Sequence, residues 1–256
     1  MIDPRADVHS SAHIAPDVHV GPWTFIGADV EIGEGSWVGP HVVINGPTQI
    51  GKHNKIFQFS SIGDAPQDLG YAGEPTRLEI GDGNVFREYC TIHRGTVKGG
   101  GITQIGDQNF LMAYSHIGHD CKIGDHCIFV NYAALSGHAV VQNYAIIGAY
   151  SAVHQFCTVG RHAFIARATY VTKDVLPYVM VAGYTASVYG INVVGLKRRG
   201  FTSETIESLK RAYKIIFRKD LIVSHAIEAL GPMLIECPEV QDLIDLLQSS
   251  ERGIVR

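Results

Sequence analysis

Branched or aromatic apolar residues recur at every sixth position along most of this chain. The series occupies residues 8–62, 80–92 and 105–171, and every one of its positions is apolar. Because apolar residues make up 46% of the chain, chance alone would produce such a series with a probability on the order of 10⁻⁹ to 10⁻⁸. The period of six is therefore a property of the fold.

A period of six excludes both a long helix and a flat sheet, whose side chains repeat every 3.6 and every two residues. Glycine often follows the apolar residue, as at Gly21, Gly27 and Gly118. Two residues before the apolar residue, the side chain is mostly small or β-branched, as at Ala133 and Ala139. Short strands joined at corners fit this pattern, with three hexads in each coil and coils stacked about 4.8 Å apart. The sequence predicts a mainly β solenoid of about eight coils.

Composition narrows the class of protein further. The net charge of −4 argues against nucleic acid as a partner, because phosphate binding favours a basic surface. The first residues do not have the pattern of a secretion signal, and no apolar run reaches the length of a membrane span, so no stable membrane insertion is expected. A cytoplasmic, reduced protein is predicted. The small position of the repeat holds four cysteines, predicted to be buried small hydrophobes: Cys90, Cys121, Cys127 and Cys157.

Two segments interrupt the repeat, at residues 63–79 and 95–103, and are predicted to be loops that leave the solenoid. Loops on a rigid scaffold often carry function, although tolerated insertions are the alternative. The repeat stops after Val171, which divides the chain into a β-helix domain (1–180) and a C-terminal helical domain (181–256). The helices predicted there, which should cover the open end of the prism, are Asn192–Gly200, a second from Thr202 or Ser203 to Lys219, Ser224–Leu230 and Pro238–Gln248.

Most of the thirteen histidines occupy outward positions of the repeat and are expected to be solvated. One group differs, because His119, His138 and His154 follow apolar residues that lie one coil apart. Together with Asp120 and Gln155 they should stack on one corner of three successive coils, about 5 Å apart at each step. The alternative is that these polar residues are simply solvated. Assigning them a function therefore needs a second argument, from the chemistry of a reaction.

Acyl transfer from a thioester to a hydroxyl needs a base for the hydroxyl proton and a hydrogen-bond donor for the oxyanion. His119 next to Asp120 has the composition of an oriented base. The amide of Gly137, one coil away, suits the donor. No serine or cysteine nucleophile motif is visible, which favours direct transfer without a covalent enzyme intermediate.

Seven segments resemble the acyl-carrier-protein:UDP-N-acetylglucosamine O-acyltransferases: 61–63, 67–68, 71–77, 91–96, 116–121, 152–157 and 195–201. The resemblance covers nearly the whole chain, including the helical tail. It implies a left-handed parallel β-helix that needs no cofactor or metal, and a homotrimer with active sites in clefts between protomers. It also implies transfer of a (R)-3-hydroxyacyl chain from acyl carrier protein to the 3-hydroxyl of UDP-N-acetylglucosamine, the first step of lipid A synthesis.

The resemblance also implies roles for single residues. His119 matches the general base, Asp120 its orienting partner and the Gly137 amide the oxyanion donor. The two arginines near residue 198 suit a diphosphate. Residues that match contacts to the sugar, the acyl chain or the nucleotide are Gln67, Asp68, His116, His138, His154, Gln155, Asn192, Arg198 and Arg199.

Three positions depart from the family pattern. Gly70 stands where a lysine is common after Gln-Asp-Leu, and Val194 where a glutamate often precedes the Gly-Leu-Lys-Arg-Arg run. The nucleotide contacts at these two points are therefore open. Arg167 occupies the position that limits acyl length and is small in long-chain enzymes, so its bulk predicts a shorter or differently routed acyl pocket.

A cluster of basic residues on the predicted helix 202–219 is expected to dock the acidic acyl carrier protein by charge complementarity. Its members are Lys210, Arg211, Lys214 and Arg218. A solvated helix face is the alternative.

Four alternative functions remain at this stage. A γ-type carbonic anhydrase would hold zinc through histidines that converge from two chains. An N-acyltransferase of the same pathway usually carries an extra N-terminal domain, whereas the repeat here starts by residue 8. An acetyl-CoA-dependent O-acetyltransferase fits the motifs less well. A nonenzymatic scaffold would not need the polar column.

Overall fold

The hexapeptide repeat folds into a three-sided parallel β-helix. The computed structural model describes residues 1–219 and 221–256. Each hexad contributes one short strand, and three hexads return the chain to the same side of the prism. Strands one coil apart pair in parallel, and the last strand, Ser187–Ile191, pairs antiparallel with Val179–Ala182. The predicted solenoid is confirmed.

The strands of the described residues form three sheets, named here in the order in which the chain enters them. Sheet 1 contains Asp7–Val8, Phe25–Ile26, Val43–Ile44, Ser61–Asp64, Thr91–His93, His116–Ile117, Ala134–Leu135, Ala152–Val153 and Tyr170–Val171. Sheet 2 contains His13–Ile14, Val30–Ile32, Thr48–Ile50, Arg77–Ile80, Ile102–Ile105, Lys122–Ile123, Val140–Val141 and Thr158–Val159. Sheet 3 contains His19–Val20, Trp37–Val38, Lys55–Ile56, Val85–Phe86, Phe110–Leu111, Ile128–Phe129, Ile146–Ile147, Phe164–Ile165, Val179–Ala182 and Ser187–Ile191.

The apolar residues of the repeat form the core inside the prism. All of them are buried except Val8 and Ile14 in the first coil, which are half-buried. The strand register stacks each on its equivalent in the next coil, as in the pairing of Ile117 with Leu135. The four cysteines of the small position are fully buried among them, as predicted.

An aromatic column runs along the corner that joins sheet 3 to sheet 1. Its rings stack with centroids 4.7 to 5.4 Å apart, close to the coil spacing, and belong to Trp23, His41, Phe59, Tyr89, Tyr114, Tyr132 and Tyr150. Each of these residues has a positive φ, 62° at Tyr132 for example. The left-handed backbone costs energy for a residue with a Cβ, and stacking of about 0.5–1.5 kcal/mol per pair offsets that cost.

The two interruptions of the repeat leave the prism next to each other, as irregular segments 65–76 and 94–101. Arg94 stabilises the position of the first loop. Its guanidinium donates hydrogen bonds to the carbonyls of Gly46 and Gly63 and to the Tyr71 hydroxyl. The Arg77 amide, at the end of the first loop, donates to the carbonyl of Gly101 in the second. The loops are therefore parts of one rigid surface.

Helices pack against the last coil. They are α1 (Val193–Arg198), α2 (Ser203–Arg218), α3 (Val223–Leu230) and α4 (Val240–Ser249), with short 3₁₀ helices at Val97–Gly99 and Gly231–Ile235. The Tyr178 hydroxyl donates to Asp242, and buried Asp174 accepts from the Ser250 hydroxyl. Sheet 3 continues to Ile191, across the boundary placed at 180, so that division of domains stays a prediction.

The ends of the helices differ slightly from the prediction. The last one begins at Val240 rather than at Pro238, because the chain turns once more after Cys237. The second 3₁₀ helix, with Pro232 in its first turn, was not predicted. None of the helices in the described residues has the length and apolar content that a membrane crossing requires.

We expect Tyr132→Asn to lower the free energy of unfolding by about 1–2 kcal/mol, because it removes two stacked pairs. Asparagine tolerates a positive φ, so the backbone cost stays similar. Tyr150→Asn is the matched control: Tyr150 stacks on Tyr132 at the end of the column, so this variant should lose about half as much. Denaturant midpoints of both variants would check this prediction. Equal losses of unfolding free energy would contradict the stabilising role of stacking in the aromatic column.

Candidate active site

The predicted polar column lies at the corner that joins sheet 1 to sheet 2. His119 follows the strand His116–Ile117, and Gly137 and Gln155 hold the equivalent position in the next two coils. Asp120 and His138 occupy the adjacent column, each with a positive φ, of 61° and 62°. The expected stacking over three coils is confirmed, and the rings of His119 and His138 lie 5.3 Å apart.

The carboxylate of Asp120 is buried and held by the second loop. Its two oxygens accept hydrogen bonds from the amide and the hydroxyl of Thr96, both at 2.7 Å. The Asp120 amide in turn donates to the hydroxyl of Thr103 at 2.8 Å. The carboxylate lies so close to Gly99 that a Cβ there would come within 2.0 Å of it. The loop therefore fixes the carboxylate, and its residues Thr96 and Gly99 were missed because nothing in the repeat marks them.

His119 is oriented by this carboxylate. Its Nδ1 lies 2.7 Å from Asp120 Oδ2, with the carboxylate fully buried and the imidazole mostly so. A proton on Nδ1 satisfies this bond and leaves Nε2 free to accept a proton. The ring lies directly against Gly137, where a Cβ would be only 2.6 Å from the ring. Glycine at 137 is therefore required by the position of the imidazole.

The amide of Gly137 is a free donor beside this base. Among the described residues it has no hydrogen-bond acceptor, whereas the neighbouring amide of His138 donates to the His119 carbonyl. The amide predicted to be the oxyanion donor thus adjoins the imidazole, in a buried position, with its N–H unpaired within residues 1–219 and 221–256.

Two further histidines flank the base. His138 Nε2 lies 3.5 Å from Asp120 Oδ2, and burial lowers the pKa of His138. His116 Nδ1 lies 2.8 Å from the Thr91 hydroxyl. Burial, with help from the nearby His93, lowers the pKa of His116 to about 4. His116 is therefore neutral at pH 7 and acts as a hydrogen-bonding rather than a charged group.

His119, Asp120 and His138 each present one ligand atom within 4.8 Å of the others, the only such group in residues 1–219 and 221–256. Both Asp120 oxygens, however, already accept from Thr96, and one of them also binds His119. The carboxylate is organised to orient an imidazole, so the donor set fits an acid–base site better than a metal site.

The remaining residues predicted for the sugar and acyl chain surround the same corner. Asp68, half-buried in the first loop, is close enough to counteract part of the lowering of the His138 pKa. Gln67 and Gln155 are exposed there. The His154 ring packs edge-on to Tyr170.

The residues predicted for the nucleotide lie elsewhere in the chain. Asn192 and Arg198 line a cavity of about 330 Å³ on the outer face of sheet 3, together with Ile146, Phe164, Met180, Ile191, Val193, Val194 and Gly195. Asn192 also caps α1 through the Gly195 amide. Arg199 stacks on Tyr144, 4.8 Å from the ring centre. Within one chain this cavity and the histidine corner are on different sides of the prism.

Arg167 is exposed at the corner between sheets 3 and 1. On α2, three of the four docking candidates have partners within the domain: Lys210 pairs with Glu207, Arg211 with Glu236, and Arg218 donates to the Tyr213 hydroxyl. Lys214 has no such partner among the described residues.

Comparison with known proteins gives the class of this fold and site. Residues 102–137 match the bacterial transferase hexapeptide family, and residues 174–255 match domain 2 of UDP N-acetylglucosamine O-acyltransferase. The chain is therefore an acyltransferase built on a hexapeptide-repeat, left-handed β-helix.

Full-length relatives identify the family. The acyl-[acyl-carrier-protein]--UDP-N-acetylglucosamine O-acyltransferase of Thiobacillus denitrificans is 52% identical over 255 residues, covering 100% of this chain and 99% of the relative. The solved UDP-N-acetylglucosamine acyltransferase of Francisella novicida matches with a TM-score of 0.98 and 46% identity, covering 100% and 94% of the two chains. The solved UDP-N-acetylglucosamine O-acyltransferase of Moraxella catarrhalis matches with a TM-score of 0.98 and 44% identity. The match covers 100% of this chain and 99% of the Moraxella chain. The chain belongs to the acyl-[acyl-carrier-protein]--UDP-N-acetylglucosamine O-acyltransferase family.

Gly137→Ala should lower kcat by about 10²–10³-fold, since the new methyl displaces the imidazole and crowds the oxyanion donor. Gly231→Ala is the control, because a Cβ there meets nothing within 4 Å. Steady-state acyl transfer by both variants, with circular dichroism to verify folding, tests the site. A folded Gly137→Ala enzyme with wild-type kcat would exclude this geometry.

Proposed function

We propose that this protein transfers a (R)-3-hydroxyacyl chain from acyl carrier protein to the 3-hydroxyl of UDP-N-acetylglucosamine, the first step of lipid A synthesis, by general-base catalysis. The observation that carries the mechanism is the alignment of Asp120, His119 and the free Gly137 amide on one corner. Family membership supports the reaction and its two substrates. The same membership argues against the carbonic anhydrase, N-acyltransferase, acetyltransferase and scaffold alternatives.

Each of the three residues at this corner has its own role in the proposed reaction. His119 Nε2 accepts the proton of the sugar 3-hydroxyl while the hydroxyl oxygen attacks the thioester carbonyl carbon. Asp120 stabilises the imidazolium that forms, and the Gly137 amide donates to the oxyanion. When the tetrahedral intermediate collapses, the thiol of the carrier arm leaves and receives the proton from His119.

Direct transfer is favoured over a covalent enzyme intermediate because the cysteines nearest the corner are poor nucleophiles. Cys121 and Cys157 are buried, and burial raises the pKa of their thiols to about 12 and about 11. The thiolate is the reactive form, so these side chains stay protonated and out of reach of a thioester.

A homotrimer explains the separation of the two parts of the site. The cavity lined by Asn192 and Arg198 lies on sheet 3, whereas His119 lies at the corner between sheets 1 and 2. We propose a threefold assembly in which sheet 3 of one protomer lies against the histidine corner of the next. One substrate then reaches the base of one chain and the nucleotide cavity of its neighbour. Nothing in this arrangement needs a membrane, and we place the enzyme in the cytoplasm.

The acyl chain runs along the outer face of sheet 1 in this proposal. Between the histidine corner and the opposite corner, the outward positions hold the small residues Ala134 and Ala152. Arg167 stands at that opposite corner, one coil beyond Ala152. Its guanidinium would limit how far an apolar chain can extend.

Carrier docking is best placed at a groove of about 480 Å³ on the helical domain. Its walls combine the cations Arg211, Lys214 and Lys219 with the apolar side chains Ile215, Pro232 and Met233, and Glu236, the partner of Arg211, also lines it. Because Lys210 and Arg218 already have partners, we assign most of the attraction for the acidic carrier to Lys214 and Lys219.

The reaction is tested with a panel of 3-hydroxyacyl carrier proteins, from eight to sixteen carbons, and UDP-N-acetylglucosamine. We expect 3-O-acylated product, with the highest rate from a chain shorter than fourteen carbons because of Arg167. His119→Ala should lower the rate by about 10²–10⁴-fold. Mass spectrometry of the product gives both answers. No transfer by the wild type would overturn the proposed reaction, and a strong preference for fourteen carbons or more would overturn the role of Arg167.

Lys214→Glu should raise the KM for the acyl carrier protein by about five- to tenfold and leave the KM for UDP-N-acetylglucosamine unchanged, since it adds repulsion only at the groove. Lys52→Glu is the matched charge reversal, because exposed Lys52 lies at the corner between sheets 2 and 3, far from the helices, and its exposed ion pair with Glu34 contributes little. Equal effects of the two reversals on the carrier KM would reject this docking face.

A further inference from the structure

The tips of the two loops bring a cation next to the histidine corner. In the first loop, the Gly70 amide donates to Asp68 Oδ1 at 2.8 Å. A Cβ built on Gly70 would lie 3.4 Å from Asp68 Oδ1 and 3.4 Å from the Nζ of Lys98, which comes from the second loop. The Lys98 ammonium therefore lies in the space that a side chain at position 70 would enter.

The backbone of Lys98 is fixed relative to the catalytic carboxylate. Lys98 is the middle residue of the 3₁₀ helix Val97–Gly99, whose first turn is capped by the Thr96 hydroxyl. The same Thr96 holds both oxygens of Asp120, and Gly99 lies against them. The stem of Lys98 thus starts two residues from the contact that positions the base.

The Lys98 ammonium forms no ion pair among the described residues, although, besides the Ala72 amide, it helps to lower the pKa of Glu74. The two acids that share its surroundings are already engaged, because Asp68 accepts from the Gly70 amide and Glu74 from the Ala72 amide. The other cation of these loops, Arg94, donates to backbone carbonyls.

We propose that Lys98 binds the diphosphate of UDP-N-acetylglucosamine while the sugar 3-hydroxyl lies at His119. An ammonium forms strong charge-assisted hydrogen bonds with phosphate oxygens. The diphosphate is only a few bonds from the 3-hydroxyl, whereas the phosphate of the carrier arm is separated from its thioester by the whole length of the arm. The acceptor is therefore the substrate whose charge fits a cation this close to the base. This inference rests on the proposed function.

The position of Gly70 provides a swap test. Lys98→Gln should raise the KM for UDP-N-acetylglucosamine by about tenfold, the usual worth of a hydrogen bond to a charged group. Its kcat and its KM for the acyl carrier protein should change little. Gly70 does not have a positive φ, and its Cβ would make only ordinary contacts. Gly70→Lys combined with Lys98→Gln should therefore recover most of the affinity, and Gly70→Gln combined with Lys98→Gln should not.

Calorimetric titration of UDP-N-acetylglucosamine into each folded variant, at low and high salt, gives a readout independent of turnover. The inference predicts weaker binding and a weaker salt dependence for Lys98→Gln, both recovered in the lysine swap. An unchanged affinity in Lys98→Gln, an effect confined to the carrier KM, or a lysine swap no better than the glutamine swap would each overturn it. Failure of the wild type to acylate the sugar with any donor would instead count against the proposed function.

Discussion

Parallel pairing in strict register is the constraint on which this structure depends. It places each residue about 5 Å from its equivalent one coil away, so the space available to a side chain is set by its neighbours in the same column. The proposed active corner depends on this spacing, because Gly137 leaves the room in which the His119 imidazole lies. The same stacking places the buried Asp120 next to His138. The geometry proposed for catalysis is therefore a consequence of alternating large and small residues along a column.

The repeat alone would leave the acidic member of that corner solvated. An ionised carboxylate loses hydration when it is buried and needs donors in return. The second loop supplies them through the amide and the hydroxyl of Thr96, and it covers the carboxylate with Gly99. The site therefore forms where a regular column meets an interruption of the repeat, and neither would position His119 without the other.

The difference between periodic and aperiodic segments explains how much the sequence could reveal. The period of six identified the core, the buried cysteines and the corner shared by His119 and His138, because register follows from counting residues. The aromatic column at Tyr114, Tyr132 and Tyr150 was equally readable from its spacing of eighteen and was overlooked. The hold of Thr96 on Asp120 was not readable, since no repeat fixes the path of a loop. Residue roles given by family resemblance remain predictions.

The stiffness of the solenoid also bears on how the site excludes water. Every coil is hydrogen-bonded to the next, so the prism cannot close around a substrate as a hinged enzyme does. The two loops, and the neighbouring protomer of the proposed trimer, would then cover the histidine corner. In the proposed trimer the nucleotide cavity beside Asn192 belongs to a different chain from the base that acts on the same molecule. Binding of the nucleotide to one protomer would then orient the sugar hydroxyl at His119 of the other protomer. Because both protomers are stiff, this orientation would need no conformational change.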